Sequence, residues 1–189
     1  TLSMVAHDVT GLARGENAFG FAYAALAHTA LGAATHVQLH PSALSFEQGC
    51  TLPSTWSTVH VALMRMQPLV ACFVLLQATA GGVGLVSAEY SHWIALRVMS
   101  SAGRPFKQQH LLSRGIQRLL NSRDGGSFAY GIAQQLRYMR LRFVLNSLSN
   151  DFVSTAWAST AEGACFTEVG KRGVWNSARQ IVAVSHSLY

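Results

Sequence analysis

A short apolar strand followed by a glycine-rich turn constrains the fold of this chain more than any other feature. Residues 72–78 form an apolar run, and Gly81-Gly82-Val83-Gly84 follows it. The next segment, residues 85–94, has apolar residues at helical spacing. A strand, a tight glycine turn and a helix in this order are typical of the first unit of a parallel α/β sheet. We therefore expect such a sheet to begin here.

The alternation of strand and helix continues downstream. We predict further strands at 96–100, 119–122, 142–145 and 164–169, and helices at 107–113, 128–136 and 151–158. Gly115 occupies the position at which a glycine commonly ends a helix. The series predicts an α/β fold with a Rossmann-type, doubly wound parallel sheet.

The first 65 residues differ from the rest. They are rich in Gly and Ala and contain short apolar pieces such as residues 35–39. A segment containing Pro53 then leads to a predicted helix at 57–66. We interpret this region as the C-terminal part of a β-rich domain that leads into the nucleotide-binding domain.

Composition limits the classes of partner. Half of the 189 residues are apolar and 12% are charged, which excludes a disordered segment. The net charge is +6, but the basic residues are scattered apart from 137–142, so we expect no nucleic-acid partner. The uncharged run at 68–88 is interrupted by Gln77, Thr79 and the glycines, so we expect no membrane span.

The cysteines and histidines predict neither disulfides nor a metal site. Cys50, Cys72 and Cys165 are odd in number and far apart, so they form no disulfide framework and no Cys-x-x-Cys pair. The eight histidines have no metal-ligand spacing with cysteines or carboxylates. These features predict a reducing, cytoplasmic location.

Two motifs predict which ligand is bound. A glycine turn lets backbone N–H groups and a helix N-terminus approach a dinucleotide pyrophosphate. NAD sites place an acidic residue after the second strand, to bind the ribose 2′-hydroxyl. No acidic residue stands at that position in this chain. The segment there contains Ser100, Ser101, Arg104 and Lys107, whose hydroxyls and cations suit the 2′-phosphate of NADP. The sequence therefore predicts NADPH as the cofactor.

A run of motifs in order resembles the enoylreductase domains of modular polyketide and fatty-acid synthases, which are zinc-free, quinone-oxidoreductase-like members of the medium-chain dehydrogenase/reductase family. The resemblance covers nearly the whole chain. Its motifs are Gly81-Gly82-Val83-Gly84, Ser101-Ala102-Gly103 with Lys107, Asn121-Ser122-Arg123-Asp124, Val144-Leu145-Asn146-Ser147-Leu148 and Glu168-Val169-Gly170-Lys171-Arg172.

The resemblance implies domain boundaries and an activity. Residues 1–65 would be part of a GroES-like substrate domain with a connecting helix, 66–175 the NADP-binding Rossmann domain, and 176–189 the start of the return to the substrate domain. The implied activity is reduction by NADPH of an α,β-unsaturated thioester on an acyl carrier protein, without a metal. Implied partners are that carrier protein, neighbouring synthase domains and a second copy, in a homodimer formed through the parent synthase.

The resemblance also implies roles for individual residues. Lys171 matches a lysine that acts as proton donor or enolate stabiliser. The residues expected to contact the cofactor are Thr79, Gly81, Gly82, Val83, Gly84, Ser101, Lys107, Arg123, Asn146, Ser147 and Leu148.

Two departures from the family pattern leave alternatives open. Gly173 and Ser185 stand where relatives usually carry acidic residues, so a carboxylate partner for Lys171 is missing. This favours a second hypothesis, a catalytically decayed domain with a structural role. A third is a free NADPH quinone or enone reductase with a diffusible substrate.

Overall fold

The structure, a computed structural model, describes residues 1–23, 27–68, 71–137, 139–171 and 173–186. Arg172 of the predicted Gly-Lys-Arg motif and the side chain of Ser185 lie outside the described residues. The chain divides into two compact units, Thr1–Ser57 and Thr58–Tyr189.

The first unit contains a two-stranded antiparallel sheet. Strand β1 (Ala18–Gly20) pairs with β2 (Val37–Leu39), which follows a single 3-10 turn at Ala34–His36. Gly20 has a φ of 154°, and a Cβ built there would lie 2.1 Å from the His36 carbonyl oxygen. Only glycine fits such a close approach of two strands.

The first helix is longer than predicted. Helix α1 spans Phe46–Met66, so the expectation of a helix at 57–66 is wrong at its start. Ser45 and Gln48 form a capping box, because the Ser45 N–H donates to Gln48 Oε1 (2.9 Å) and the Gln48 N–H to Ser45 Oγ (3.2 Å). Pro53 is accommodated inside the helix, where the residue four positions earlier is Gly49. Proline has no N–H to donate to the Gly49 carbonyl, so the helix lacks one i to i−4 hydrogen bond at this point.

The second unit is built on a five-stranded parallel sheet with strand order β5-β4-β3-β6-β7. This order confirms the predicted doubly wound Rossmann-type fold. In chain order the elements after α1 are β3 (Phe73–Leu76), α2 (Gly82–Trp93), β4 (Arg97–Ala102), α3 (Pro105–Ser113), β5 (Arg118–Asn121), α4 (Gly125–Leu136), β6 (Leu141–Asn146), α5 (Asp151–Ala158), β7 (Thr160–Glu168) and α6 (Ser177–His186).

The core lies between the sheet and the helices. All four residues of β3 are buried, as expected for a central strand covered on both faces. Phe128 of α4 is fully buried and belongs to one cluster with Leu75, Met99 and Leu141. Across the described ranges, no helix combines the length and the apolar character needed to cross a membrane.

Most predicted elements are present, with shifts at their ends. Helix α5 has both predicted ends, and Gly115 follows α3 with a φ of 81°, as its predicted stop role requires. Helix α3 begins at Pro105 rather than 107, because proline is well suited to the first helical turn. Strand β7 begins at Thr160 rather than 164, because Thr160 already pairs with Leu141.

Candidate functional site

The strand order places a crevice at one edge of the sheet. From β3 the chain proceeds through β4 to β5 on one side, and β6 and β7 lie on the other side. Ligands of open α/β sheets bind outside the carboxyl ends of the strands, at the point where the strand order reverses direction. The residues that follow β3 and β6 are therefore the candidates for a binding site.

The glycine turn connects β3 to α2 at this point. Ala78 has a φ of 49°, and its carbonyl accepts a hydrogen bond from the Gly81 N–H at 3.0 Å. Helix α2 begins at Gly82, and Gly81 provides no side-chain cap. The first N–H groups of α2 have no partner within the helix, and they suit an anion.

Gly84 lets the helix approach the strand end closely. A Cβ at Gly84 would lie 2.5 Å from Thr79 Cα and 2.6 Å from the Thr79 carbonyl oxygen. Any side chain would displace backbone there. A Cβ at Gly81, by contrast, would meet only the Ala78 oxygen at 3.4 Å, which is ordinary contact.

Two residues predicted to contact the cofactor are buried beneath the turn. The Thr79 hydroxyl donates to the Leu76 carbonyl (2.7 Å), and its N–H donates to the Ser101 carbonyl (2.9 Å). Ser101 Oγ accepts from the Ala78 N–H at 3.0 Å. Because both side chains are fully buried, they shape the turn in this structure and do not line the cleft.

A cleft of about 270 Å³ opens beside the turn. Three of its side chains are the cations Arg104, Lys107 and Arg123, all exposed to solvent. None of the described lining residues is acidic. The lining consists of Ala78, Ala80, Gly81, Ala102, Gly103, Arg104, Lys107, Ser122, Arg123 and Leu148.

Gly103 allows Arg123 to reach the cleft. A Cβ at Gly103 would lie 2.7 Å from Arg123 Nε and 2.8 Å from its Cγ. The arginine side chain therefore crosses directly over the glycine. Asn121 supports the same loop, because its Oδ1 accepts from the Arg123 N–H at 2.8 Å.

Asp124 begins the helix behind this loop. It caps α4 by accepting from the Ser127 N–H at 2.6 Å. Hydrogen bonds from the Ser127 side chain and backbone hold the pKa of the Asp124 carboxyl below its ordinary value. The Asp124 carboxylate therefore serves as the N-cap of α4.

The turn after β6 forms the other wall of the crevice. Gln77 links it to β3, because Gln77 Oε1 accepts from the N–H groups of Ser147 (3.3 Å) and Leu148 (3.2 Å). The Ser147 hydroxyl donates to the Gln77 carbonyl at 3.0 Å. Asn146 is fully buried, and its Nδ2 donates to the Leu148 carbonyl at 2.8 Å. Ser147 is exposed and Leu148 half-buried, so both are accessible to a ligand.

Lys171 lies apart from this lining. It follows β7, it is exposed, and it is not one of the described residues that line the cleft. Gly173 has a φ of 65°, a left-handed conformation that favours glycine. The absence of an acid at that position therefore agrees with the local backbone.

Metal ligands are not clustered in the part of the chain that the structure describes. No group of three or more His, Cys, Asp or Glu side chains there could bind a metal ion.

Comparisons with known proteins identify relatives of this chain. No protein-family model matches the chain. The highly reducing polyketide synthase ZEA2 of Gibberella zeae is 34% identical over 142 residues, 72% of this chain and 6% of that protein. The highly reducing polyketide synthase AN6791 of Emericella nidulans is 31% identical over 168 residues, 87% of this chain and 6% of that protein. The chain thus spans only a small part of these relatives.

Solved structures share the fold. The CurK enoyl reductase has a TM-score of 0.86 and 26% identity, covering 96% of this chain and 55% of that chain. The chain is homologous to the enoyl reductase domains of polyketide synthases. Mycobacterial Rv1454c, solved in complex with NADPH, has a TM-score of 0.81 and 21% identity, covering 93% of this chain and 56% of that chain. This second likeness concerns the fold alone.

Within this enoyl reductase homologue, the structure adds site residues that the sequence did not single out. Gln77 was visible only as a polar residue inside an apolar strand, and Gly103 as one glycine among many. A buried polar residue at the carboxyl end of a central strand is the signal that identifies Gln77. Gly103 has no comparable sequence signal, because its role depends on the path of Arg123.

Proposed function

We propose that this chain is the cofactor-binding part of an NADPH-dependent enoyl-thioester reductase of polyketide synthesis, whose substrate is carried on an acyl carrier protein. The observation that carries the proposal is the cleft beside the glycine turn, where Arg104, Lys107 and Arg123 converge without an acidic residue among the described lining.

The end of β4 supports NADPH rather than NADH. An NAD site needs a carboxylate there for the ribose 2′-hydroxyl, whereas β4 ends at Ala102 and Gly103 follows. A 2′-phosphate carries about two negative charges, which two arginines and a lysine can bind through charge-assisted hydrogen bonds. The NADPH complex of Rv1454c, a protein of the same fold, favours the same cofactor.

The remaining cofactor contacts follow from the two walls of the crevice. We assign the pyrophosphate to the N–H groups at the start of α2, beside Gly81, Gly82 and Val83. Ser147 and Leu148 would lie along the nicotinamide side. Thr79, Ser101 and Asn146 support the two turns from below, because their side chains are buried.

The chemistry divides between cofactor and protein. NADPH, when bound, supplies a hydride to the β-carbon of the enoyl thioester, and the carbon–carbon π bond breaks. Lys171 is the residue we assign to protonation of the α-carbon, or to stabilising charge on the thioester oxygen. Its exposed position after β7 leaves its ammonium available to a substrate.

A second candidate is a decayed domain that still binds NADPH. The observation that favours it is the pair Lys171 and Gly173: within the described residues Lys171 makes no ion pair, and Gly173 replaces a usual acid. A carboxylate partner normally helps to hold a catalytic lysine in place.

Oxidation of NADPH by the full-length protein with crotonyl-pantetheine tests the proposal, together with fluorescence titration of cofactor binding. Lys171→Ala should lower kcat by about 100-fold, the usual contribution of a general acid, and leave the Kd for NADPH nearly unchanged. Lys171→Arg is the matched control: arginine keeps the positive charge but cannot release a proton. A lysine that only stabilises charge would be partly replaced by arginine, and a proton donor would not.

The outcomes separate the hypotheses. Turnover of the thioester with tighter binding of NADPH than NADH supports the proposal. Tight binding without turnover supports the decayed domain, and preference for a quinone over the thioester supports a free reductase. Absence of dinucleotide binding overturns the assignment of the cleft.

A further inference from the structure

Glu168, the last residue of β7, connects two segments that the proposed function assigns to different tasks. One carboxylate oxygen, Oε2, accepts from Asn146 Nδ2 at 2.5 Å. The other, Oε1, accepts from the Gly170 N–H at 2.6 Å. One side chain therefore bonds both to the turn on the cofactor side and to the segment that leads into Lys171.

The strand register makes this connection direct. Asn146 and Glu168 are paired residues at the ends of the neighbouring parallel strands β6 and β7. The ladder continues one step further, because the Val169 N–H donates to the Asn146 carbonyl at 2.9 Å. The path from the cofactor turn to Lys171 is thus a short, hydrogen-bonded piece of backbone.

Gly170 is required for this packing. A Cβ at Gly170 would lie 2.7 Å from Glu168 Oε1 and 3.5 Å from Ser147 Cα. A side chain there would push the carboxylate away from the Gly170 N–H. The Cα of Ser147, at 3.5 Å, would be in ordinary van der Waals contact with that Cβ.

The hydrogen-bond network around Asn146 lowers stability, because it leaves buried polar atoms without partners. Asn146 is fully buried, yet its Oδ1 has no hydrogen-bond partner, and the Nε2 of buried Gln77 also lacks one. Such atoms lower stability, and apolar residues would avoid the loss. Polar networks that are incompletely satisfied are characteristic of sites where geometry serves function.

We propose that Glu168 is a positioning residue that keeps the Lys171 segment in register with the Asn146-Ser147-Leu148 turn. The proposal rests on the proposed function, since it assigns the cofactor to that turn and the proton to Lys171. A carboxylate suits the task because it accepts two hydrogen bonds from two donors at once. Glutamine in its place offers one acceptor and one donor, so one of the two bonds is lost.

The test uses Glu168→Gln in the full-length protein, with Glu162→Gln as the matched control. Glu162 lies on the same strand, is exposed, and is remote from the turn in sequence and register. We expect Glu168→Gln to lower kcat by about 10- to 100-fold, the effect of a small misplacement of reacting groups, with at most a few-fold rise in the Kd for NADPH. Glu162→Gln should match the unaltered protein.

A double variant tests the hydrogen bond itself. Asn146→Asp alone places a carboxylate against the Glu168 carboxylate, so kcat should fall further than it does in Glu168→Gln. In the double variant N146D/E168Q, the new carboxylate can accept from the glutamine amide while the glutamine oxygen still accepts from the Gly170 N–H. The double variant should therefore regain part of the kcat lost in Asn146→Asp. Losses that simply add would overturn the proposal.

Hydrogen exchange without cofactor provides a readout that does not depend on turnover. Glu168→Gln should raise amide exchange at 146–148 and at Gly170 together, and Glu162→Gln should raise neither. If the unaltered protein does not reduce the thioester, the proposed function fails, and the exchange result still decides whether Glu168 links the segments. If Glu168→Gln matches the control in both kcat and exchange, the inference is wrong.

Discussion

Arginine and lysine side chains serve different purposes at the two ends of the parallel strands. We call these ends the amino edge, where the strands begin, and the carboxyl edge, where they end. At the amino edge, Arg118 donates to the Gln135 carbonyl near the C-terminus of α4 (3.4 Å), and Arg140 to the Ala158 carbonyl that ends α5 (2.9 Å). Arg97 and Arg118 also lie over the Phe73 ring, at 5.5 and 4.9 Å from its centre. These guanidinium groups cap helices and cover the core.

At the carboxyl edge the cations face a cleft instead. Arg104 and Lys107 stand at the start of α3, where a positive charge is unfavourable to the helix dipole. Helices α2 to α5 connect parallel strands of the sheet, so their N-termini lie toward the carboxyl edge and their dipoles add to the cations there. At the amino edge the negative helix ends offset the arginines. Cation placement relative to helix ends, rather than net charge, therefore distinguishes the proposed anion site.

The largest effect is expected at the glycine turn that makes the two edges different. Gly84→Val places atoms within 2.5 Å of the Thr79 backbone, so the free energy of unfolding should fall by about 1–3 kcal/mol and NADPH binding should be lost. Urea unfolding and fluorescence titration measure the two effects. Gly126→Ala is the control, because its Cβ would meet only Asp124 Oδ2 at 3.5 Å. Normal NADPH binding by Gly84→Val would contradict the role given to the turn.

Lys107→Ala and Arg118→Ala test whether cations at the two edges have different roles. Lys107→Ala should weaken NADPH binding about 10-fold and leave NADH binding unchanged, since it removes one cation from the 2′-phosphate. Arg118→Ala should lower the free energy of unfolding by about 0.5–1 kcal/mol and leave the ratio of the two Kd values unchanged. Equal losses of NADPH and NADH binding by Lys107→Ala would refute the phosphate assignment.

The smallest effect concerns a carboxylate at the carboxyl edge that caps a helix. The pKa of Asp124 lies below its ordinary value of 3.8, so its contribution to stability is present above that pH and is lost as pH falls through the lowered value. Asp124→Ala should be less stable than the unaltered protein near neutral pH, with the difference shrinking in acid. Asp124→Asn, which can still cap, should lose less stability. Urea unfolding as a function of pH measures this, and a difference that grows in acid would contradict the sign.

Much of the second unit could be predicted from sequence because local patterns determine it. Continuous apolar runs predict buried parallel strands, and the glycine turn and Gly115 mark where helices begin and end. The start of α1 was missed because the segment containing Pro53 was interpreted as leading up to the helix, although Ser45 and Gln48 carry the capping-box signature.

The site was predictable only in part, for a physical reason. Residue type and position after a strand identified Lys107 and the glycines as candidates at the cleft, and the family resemblance added Arg123. The same reasoning does not distinguish a hydroxyl that faces a ligand from one that supports a turn, as for Ser101. Contacts between strands distant in sequence, such as that of Asn146 with Glu168, depend on register, which a single sequence does not specify.

The proposed function requires that the dinucleotide bind at the carboxyl edge of the sheet. Hydrogen exchange of the full-length protein with and without NADPH tests it most directly. We expect slower exchange on binding at 78–84, 101–107, 121–123 and 146–148, with 95–97, 114–118 and 139–142 unchanged. Protection confined to the amino edge, or binding of NADPH without protection at the glycine turn, would contradict it.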